Sequence, residues 1–236
     1  MVKMEIRFHG HACFEIIGEK GRILIDPFLK GNPAADVGPE HFTHLDGILV
    51  SHGHSDHLGD AIELSQKTGA PLICVFELAR LCARYGAKTH AMHIGGKHTF
   101  NFGTVRLTQA LHGSVFEPPG EEESFTYAGM ACGFLIQMDG KWIYHAGDTG
   151  LFGDMELIGR RHPLAAAMLP IGDNYTMGQE EAVYAATLLR PSYLIPMHYN
   201  TFPVIQQDPQ EFIELLKRKF PASKGEILAP GQSLII

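Results

Sequence analysis

The chain has 236 residues, 45% of them hydrophobic and 19% charged, which suits a globular fold with a sizeable core and argues against disorder. Nineteen lysines and arginines against 26 aspartates and glutamates give a formal charge of −7. That sign disfavours nucleic acid or an anionic membrane as the main partner. No apolar stretch approaches membrane-spanning length and no linker stands out, so residues 1–236 are read as one domain. Cys13, Cys74, Cys82 and Cys132 are scattered in apolar sequence without a CxxC pair, as reduced core thiols are. The N-terminal "MVKMEIRFHG" lacks the apolar run of a signal peptide, and a cytoplasmic protein is expected.

In chain order, short apolar runs broken by turns predict strands at "MEIRFHG", "ACFEIIG", "RILIDPF" and "DGILVS". A helix follows at "GDAIELSQKTG", a strand at "APLICVF" and a second helix at "ELARLCARYG". Strands resume at "HTFNFGTVRLTQAL", at "GMACGFLIQMDGKWIYHAG" and at "AAAMLPIG"; Asp139-Gly140 marks a hairpin turn in the second of these. "TMGQEEAVYAATLLRP" predicts a helix, with Thr176 and Gln179 spaced as a capping box. A strand "YLIPM", a helix "DPQEFIELLKRKF" and a last strand "GEILAPGQSLII" close the chain. "HGSVFEPPGEEESFTYAG" reads as a loop with a solvated acidic run, Glu121-Glu122-Glu123. Many strands with few helices predict an α/β (α+β) fold of two stacked sheets covered by helices. Both halves contain an apolar strand that ends in histidine and leads into a helix.

The polar residues at strand ends carry the chemistry. "VSHGHSDHLGD" packs His52, His54, Asp56 and His57 directly behind Ile48-Leu49-Val50, and a buried core would have to pair every one of these groups. "RLTQALHG" delivers His112, "KWIYHAGDTG" delivers Asp148, "YLIPMHYN" delivers His198 and "RILIDPF" delivers Asp26. Side chains at neighbouring strand ends can converge on one sheet edge. Imidazoles and carboxylates without thiolates suit zinc, and also manganese, iron or nickel. The isolated His41, His44, His90, His93, His98 and His162 are read as ordinary core or surface residues, and His145 is not read as a ligand.

"HGHSDH", with "ALHGS", "AGDTG" and "PMHYN" downstream, resembles the metallo-β-lactamase superfamily. "GHACFEI", "ILIDPF", "IGDNYTMG" and "MHYNTFP" resemble, more narrowly, the compact metal-dependent hydrolases related to UlaG and YtkL, the UlaG type being L-ascorbate-6-phosphate lactonases. The resemblance runs from about residue 5 to the C-terminus. It implies an αββα sandwich of two mixed β-sheets flanked by helices, with the site at the edge between the sheets. It also implies that His52, His54 and His112 hold one divalent ion, that Asp56, His57 and His198 hold a second, and that Asp148 bridges them. Zinc or manganese are the expected ions, with nickel or iron as alternatives. His54 stands where the flavo-diiron pattern has a carboxylate, which disfavours redox chemistry.

A site of that kind implies hydrolysis by a metal-bridging hydroxide, with Asp56 as a ligand that also orients the nucleophile or shuttles its proton. Two doubly charged ions, two carboxylates and one hydroxide sum to about +1. That favours a small, anionic ester, lactone or phosphodiester. An RNA or DNA phosphodiesterase and a non-catalytic metal- or ligand-binding module are the alternatives. Asp26 either braces a metal-bound histidine or is a strand-ending Asp-Pro turn. The resemblance sets His11 near the pocket mouth, with His9 in the same turn. Asp173 and Asn174 are substrate-side candidates ahead of the Thr176 cap. The expected partner is a small molecule, with no nucleic acid and no membrane, and a homo-oligomer is admitted.

Overall fold

Alternation of apolar and polar residues sets the first strand. In the computed structural model, which describes residues 3–118 and 125–236, "EIRF" forms β1 (Glu5–Phe8), burying Ile6 and Phe8 and leaving Glu5 and Arg7 half-buried. There follow β2 (Phe14–Gly18), β3 (Gly21–Ile25), β4 (Gly47–Leu49), α1 (Ser55–Leu58), α2 (Ala61–Thr68), β5 (Leu72–Val75), α3 (Phe76–Arg84) and β6 (Thr89–Met92). The second half comprises β7 (Lys97–Phe100), β8 (Gly103–Gln109), β9 (Val115–Phe116), β10 (Thr126–Tyr127), β11 (Cys132–Met138), β12 (Lys141–His145) and α4 (Met155–Arg161). It ends with β13 (Leu164–Pro170), α5 (Gln179–Leu189), β14 (Tyr193–Met197), α6 (Pro209–Lys219), β15 (Lys224–Gly225) and β16 (Ser233–Ile235).

The strands form two seven-stranded mixed sheets, ordered β16-β1-β2-β3-β4-β5-β6 and β15-β14-β13-β12-β11-β8-β7. In each sheet the chain lays down antiparallel neighbours first and parallel neighbours afterwards, and β16 then closes the first sheet antiparallel to β1. The α2 and α3 helices pack on β4, β5 and β6, and α5 and α6 pack on β13 and β15. One apolar core joins both sheets, from Ile6 and Leu49 to Phe134 and Ile195. This is the expected αββα sandwich of two mixed sheets flanked by helices.

Strand direction decides where the polar residues go. Within the first sheet β1, β3 and β4 run the same way, and within the second β8, β12, β13 and β14 do. The segments leaving these strands carry His11, Asp26, His52, His112, Asp148, Asp173 and His198. Parallel pairing thus collects side chains from distant sequence at common sheet edges.

Several local expectations are corrected. The α5 helix starts two residues later than a Thr176 cap requires. Gly178 is its N-cap, and the Glu181 carboxylate accepts the Gly178 N–H at 2.9 Å. Thr176 and Met177 are instead drawn into a turn by Thr176 N–H to Asp173 O and Met177 N–H to Thr149 O. The last predicted strand divides into β15 and β16, which join different sheets. The α1 and α4 helices and strand β6 had no counterpart in the expected elements, and β9 and β10 pair within the stretch read as a loop. Asp139 and Gly140 both take positive φ, 48° and 79°, and close the β11–β12 hairpin as its residue types dictate. The run Glu121–Glu123 lies outside the described residues. Among the described residues all four cysteines are buried and unpaired, and no helix is long and apolar enough to cross a membrane.

Candidate metal centre

Tight, left-handed backbone turns aim the side chains inward as the chain leaves its strands. His11, Asp26 and His198 adopt φ of 57°, 46° and 57°, a region that costs a non-glycine residue roughly 1–3 kcal/mol and concentrates at functional sites. Gly147, one residue before Asp148, has φ 62°, and a Cβ there would sit 2.6 Å from Cys132 O. Only glycine lets β12 turn so closely across β11 and bring Asp148 under the histidines.

The side chains assemble as two groups and a link. His52, His54 and His112 place one nitrogen each within 4.8 Å of one another, and so do the ligand atoms of His11, Asp56, His57 and His198. Asp148 lies between the groups. Its Oδ1 is 3.2 Å from His57 Nε2, and its Oδ2 is 3.0 Å from His198 Nε2 and 3.6 Å from His112 Nε2. The buried His57 Nε2, His198 Nε2 and Asp148 Oδ1 nevertheless make no hydrogen bond among the described residues. Close, buried and unaligned polar atoms are costly alone, and an ion held between them answers that cost. The donor set of nitrogens and carboxylate oxygens fits divalent zinc, manganese, iron or nickel.

Behind these atoms a hydrogen-bond chain fixes the rings. Asp26 is buried and accepts the Ser51 N–H at 2.7 Å, the Ser51 hydroxyl at 2.7 Å and His57 Nδ1–H at 2.9 Å. With its proton given to Asp26, Ser51 Oγ accepts His52 Nδ1–H at 3.0 Å. His52 Nε2 is then left bare, 3.0 Å from His54 Nδ1. One carboxylate thereby orients a histidine in each group.

Charge divides the groups. Burial lowers the pKa of His52, His54 and His112 and keeps the rings neutral. Burial also opposes a proton on His57 and His198, but Asp148 outweighs it. His57 is raised well above the usual histidine range, and His198 is pushed up to about 9. Burial would raise Asp148 and Asp56, yet the histidines around them hold both carboxyls well below their usual range. His11, pulled down to about 4 chiefly by burial, is neutral.

Of the predicted site residues, His52, His54, Asp56, His57, His112, Asp148 and His198 converge, and Asp26 stands directly behind His57. His11 is not at a pocket mouth. It is buried inside the second group, with Nε2 3.2 Å from Asp56 Oδ2 and Nδ1 2.8 Å from Thr201 Oγ1. Asp173 and Asn174 occupy an exposed turn after β13, and Asp173 joins neither group. His145 bonds Ala12 O through Nε2 and accepts Gly147 N–H at Nδ1, a satisfied core histidine. His9 is bonded to Asp36 at 2.7 Å. Ser51 and Thr201 were missed. Ser51 had a signal, its place between the β4 run and His52, whereas Thr201 had none.

Residues 21–199 match the Beta-lactamase superfamily domain. The UPF0173 metal-dependent hydrolase of Desulfitobacterium hafniense is 99% identical over 236 residues, covering 100% of both chains. That of Pelotomaculum thermopropionicum is 52% identical over 231 residues, covering 98% of this chain and 99% of its own. The solved structure of Igni18, a metallo hydrolase from the archaeon Ignicoccus hospitalis, superposes with a TM-score of 0.89 at 34% identity, covering 99% of this chain and 98% of that one. The chain therefore belongs to the β-lactamase superfamily and, within it, to the UPF0173 metal-dependent hydrolases.

Proposed function

We propose that this hydrolase binds two divalent ions, zinc or manganese in the first place, and cleaves a small anionic ester, lactone or phosphodiester. The observation that carries the reading is the Asp148 carboxylate, buried between the two histidine groups with one oxygen or the other near His57, His198 and His112. In this reading His52, His54 and His112 hold one ion, Asp56, His57 and His198 the other, and Asp148 both. Nickel and iron fit the same donors.

When bound, two such ions supply Lewis acidity and lower the pKa of water. The chain's own residues do the rest. Asp26 and Ser51 hold His57 and His52 with their Nε2 atoms facing inward. Asp56 is the more accessible carboxylate, its side chain 27% exposed against 3% for Asp148, so it is the one that meets substrate and passes a proton. His11 Nε2 steadies Asp56 Oδ2. The site charge of about +1 supports an anionic substrate, while the net charge of −7 speaks against a long polyanion. Buried, unpaired cysteines support a cytoplasmic setting.

Elemental analysis of metal-supplied protein should approach two equivalents, and the same preparation should turn over members of a lactone, ester and phosphodiester panel. Saturation at one equivalent rejects the two-ion site. Efficient cleavage of structured RNA without small-ester turnover rejects the substrate class.

A further inference from the structure

We propose that Phe28 and Phe202, packed around the buried His11, form an aromatic wall beside the Asp56 group, and that it selects substrates carrying an aryl or similarly flat substituent on the scissile group. The inference deepens the hydrolase reading above and rests on it.

The two phenylalanines leave the same turns that build the site. Phe28 lies two residues beyond Asp26, and Phe202 directly follows Thr201, the partner of His11. Their rings are nearly parallel, 28° apart with centroids separated by 6.4 Å. Each meets the His11 ring edge-on, Phe28 at 5.8 Å and 83°, Phe202 at 5.6 Å and 69°. All these separations lie within the range of aromatic contact, so the two half-buried phenylalanine rings flank the fully buried His11 side chain as one aromatic cluster. His11 ties that cluster to the reacting end of the site through its 3.2 Å contact with Asp56 Oδ2.

Core packing does not account for the pair. Both rings are half-buried, and among the described residues neither belongs to the hydrophobic core or to the half-buried residues packed on it. Phe8, Phe14 and Phe42, by contrast, are buried in that core. The wall is also held rigidly. Asp60 accepts the Leu29 and Lys30 N–H groups at 3.1 and 2.9 Å, and its own N–H bonds Pro27 O at 2.9 Å. Phe202 O accepts Ile205 N–H at 3.1 Å. A preorganised aromatic surface loses little entropy when a flat group lies on it.

The test is calorimetric titration of zinc-loaded protein with phenylphosphonate, cyclohexylphosphonate and methylphosphonate, which share an anionic head and differ in the substituent. Phenylphosphonate should bind tightest. Phe28→Leu and Phe202→Leu should each reduce the phenyl-to-methyl preference by roughly two- to tenfold, the size of one aromatic contact. Phe28→Tyr and Phe202→Tyr, which keep a flat ring, should retain most of it. Equal affinity for phenyl and methyl overturns the wall, and equal affinity for phenyl and cyclohexyl overturns its preference for flat groups. A phenyl preference untouched by both leucine variants also overturns it. Failure of all three phosphonates to bind protein shown to carry two zinc equivalents overturns the anionic-substrate reading and the wall with it.

Discussion

Asp26 Oδ2 lies 2.9 Å from His57 Nδ1, and both side chains are fully buried. The same carboxylate takes both hydrogen bonds of Ser51, so removing its charge loosens His57 directly and His52 through Ser51. Asp26→Asn keeps the shape but turns one acceptor oxygen into a donor. Metal affinity should fall about 10- to 100-fold, the usual cost of losing a ligand's hydrogen-bond partner. Stability of the metal-free protein should fall by about 1–3 kcal/mol, the cost of a buried group left unsatisfied. Competition against a chromophoric chelator, with thermal melts alongside, reads both. Unaltered affinity would reduce Asp26 to a strand-ending turn.

The two groups should load in order. Burial has already removed the protons from His52, His54 and His112, whereas Asp148 retains protons on His57 and His198. An ion entering the second group must displace them. Zinc titration of chelator-stripped protein at pH 7 should show a first step with little proton release and a second with more. The second step should tighten as pH rises toward 9. Calorimetry in buffers of different ionisation enthalpy separates the two, and equal proton release in both steps would contradict the assignment.

Without metal, stability should peak near pH 6.5 and fall on either side. His198, raised to about 9 by Asp148 against the cost of burial, contributes stability that is complete below its unfolded value of about 6.5 and is lost as pH climbs through 9. His11, lowered to about 4 by burial, works in the opposite sense. Its contribution is complete above about 6.5 and is lost as pH falls through 4. Melting temperatures in chelator from pH 4 to 9.5 test both limbs. His198→Gln should make the alkaline limb shallower, the raised His57 still contributing to it, and leave the acid limb in place.

Much of the site was legible because its densest part is local. His52, His54, Asp56 and His57 lie within one turn and its short helix, and the isolated apolar runs before His112, Asp148 and His198 marked strand ends. What joins them was not legible. His11 meets Asp56 across 45 positions and Thr201 across 190, and those contacts depend on which strands run parallel, a property of sheet order rather than of any segment. The left-handed backbones of Asp26 and His198 have no signature in residue type, since neither position holds glycine. The α4 helix has only seven residues with Gly159 among them, too short for helical periodicity to show. Gly159 is explained by packing alone, because a Cβ there would run into the carbonyls of Leu188 and Leu189 on α5.

Gly147→Ala should be severe for its size. The new methyl meets Cys132 O at 2.6 Å and Ser51 Cβ at 2.9 Å on a backbone with φ 62°. Both neighbours are fixed by the Cys132 N–H to Ser51 O hydrogen bond, so neither can yield cheaply. A loss of about 2–4 kcal/mol is expected, strain plus overpacking, together with weakened metal binding because Asp148 is displaced. Chemical denaturation of the metal-free form and zinc competition check the two effects. A stable variant with normal zinc affinity would mean that the turn is softer than its contacts imply.

Asp56→Asn separates chemistry from folding. Unlike Asp148, Asp56 keeps 27% of its side chain exposed, and it lies in the first turn of the short α1 helix. Removing its charge should therefore spare the fold and leave the His52, His54 and His112 group able to bind its ion. The second group loses a carboxylate, and the reaction loses the group proposed to orient the nucleophile or pass its proton. Turnover should drop about 100-fold or more, as losses of acid–base groups do, with melting temperature changed by only a few degrees. Raising the metal concentration until both sites are filled distinguishes the two losses. Recovery of full turnover at saturating metal would make Asp56 a ligand only, and a deficit that persists with two equivalents bound would assign it the proton.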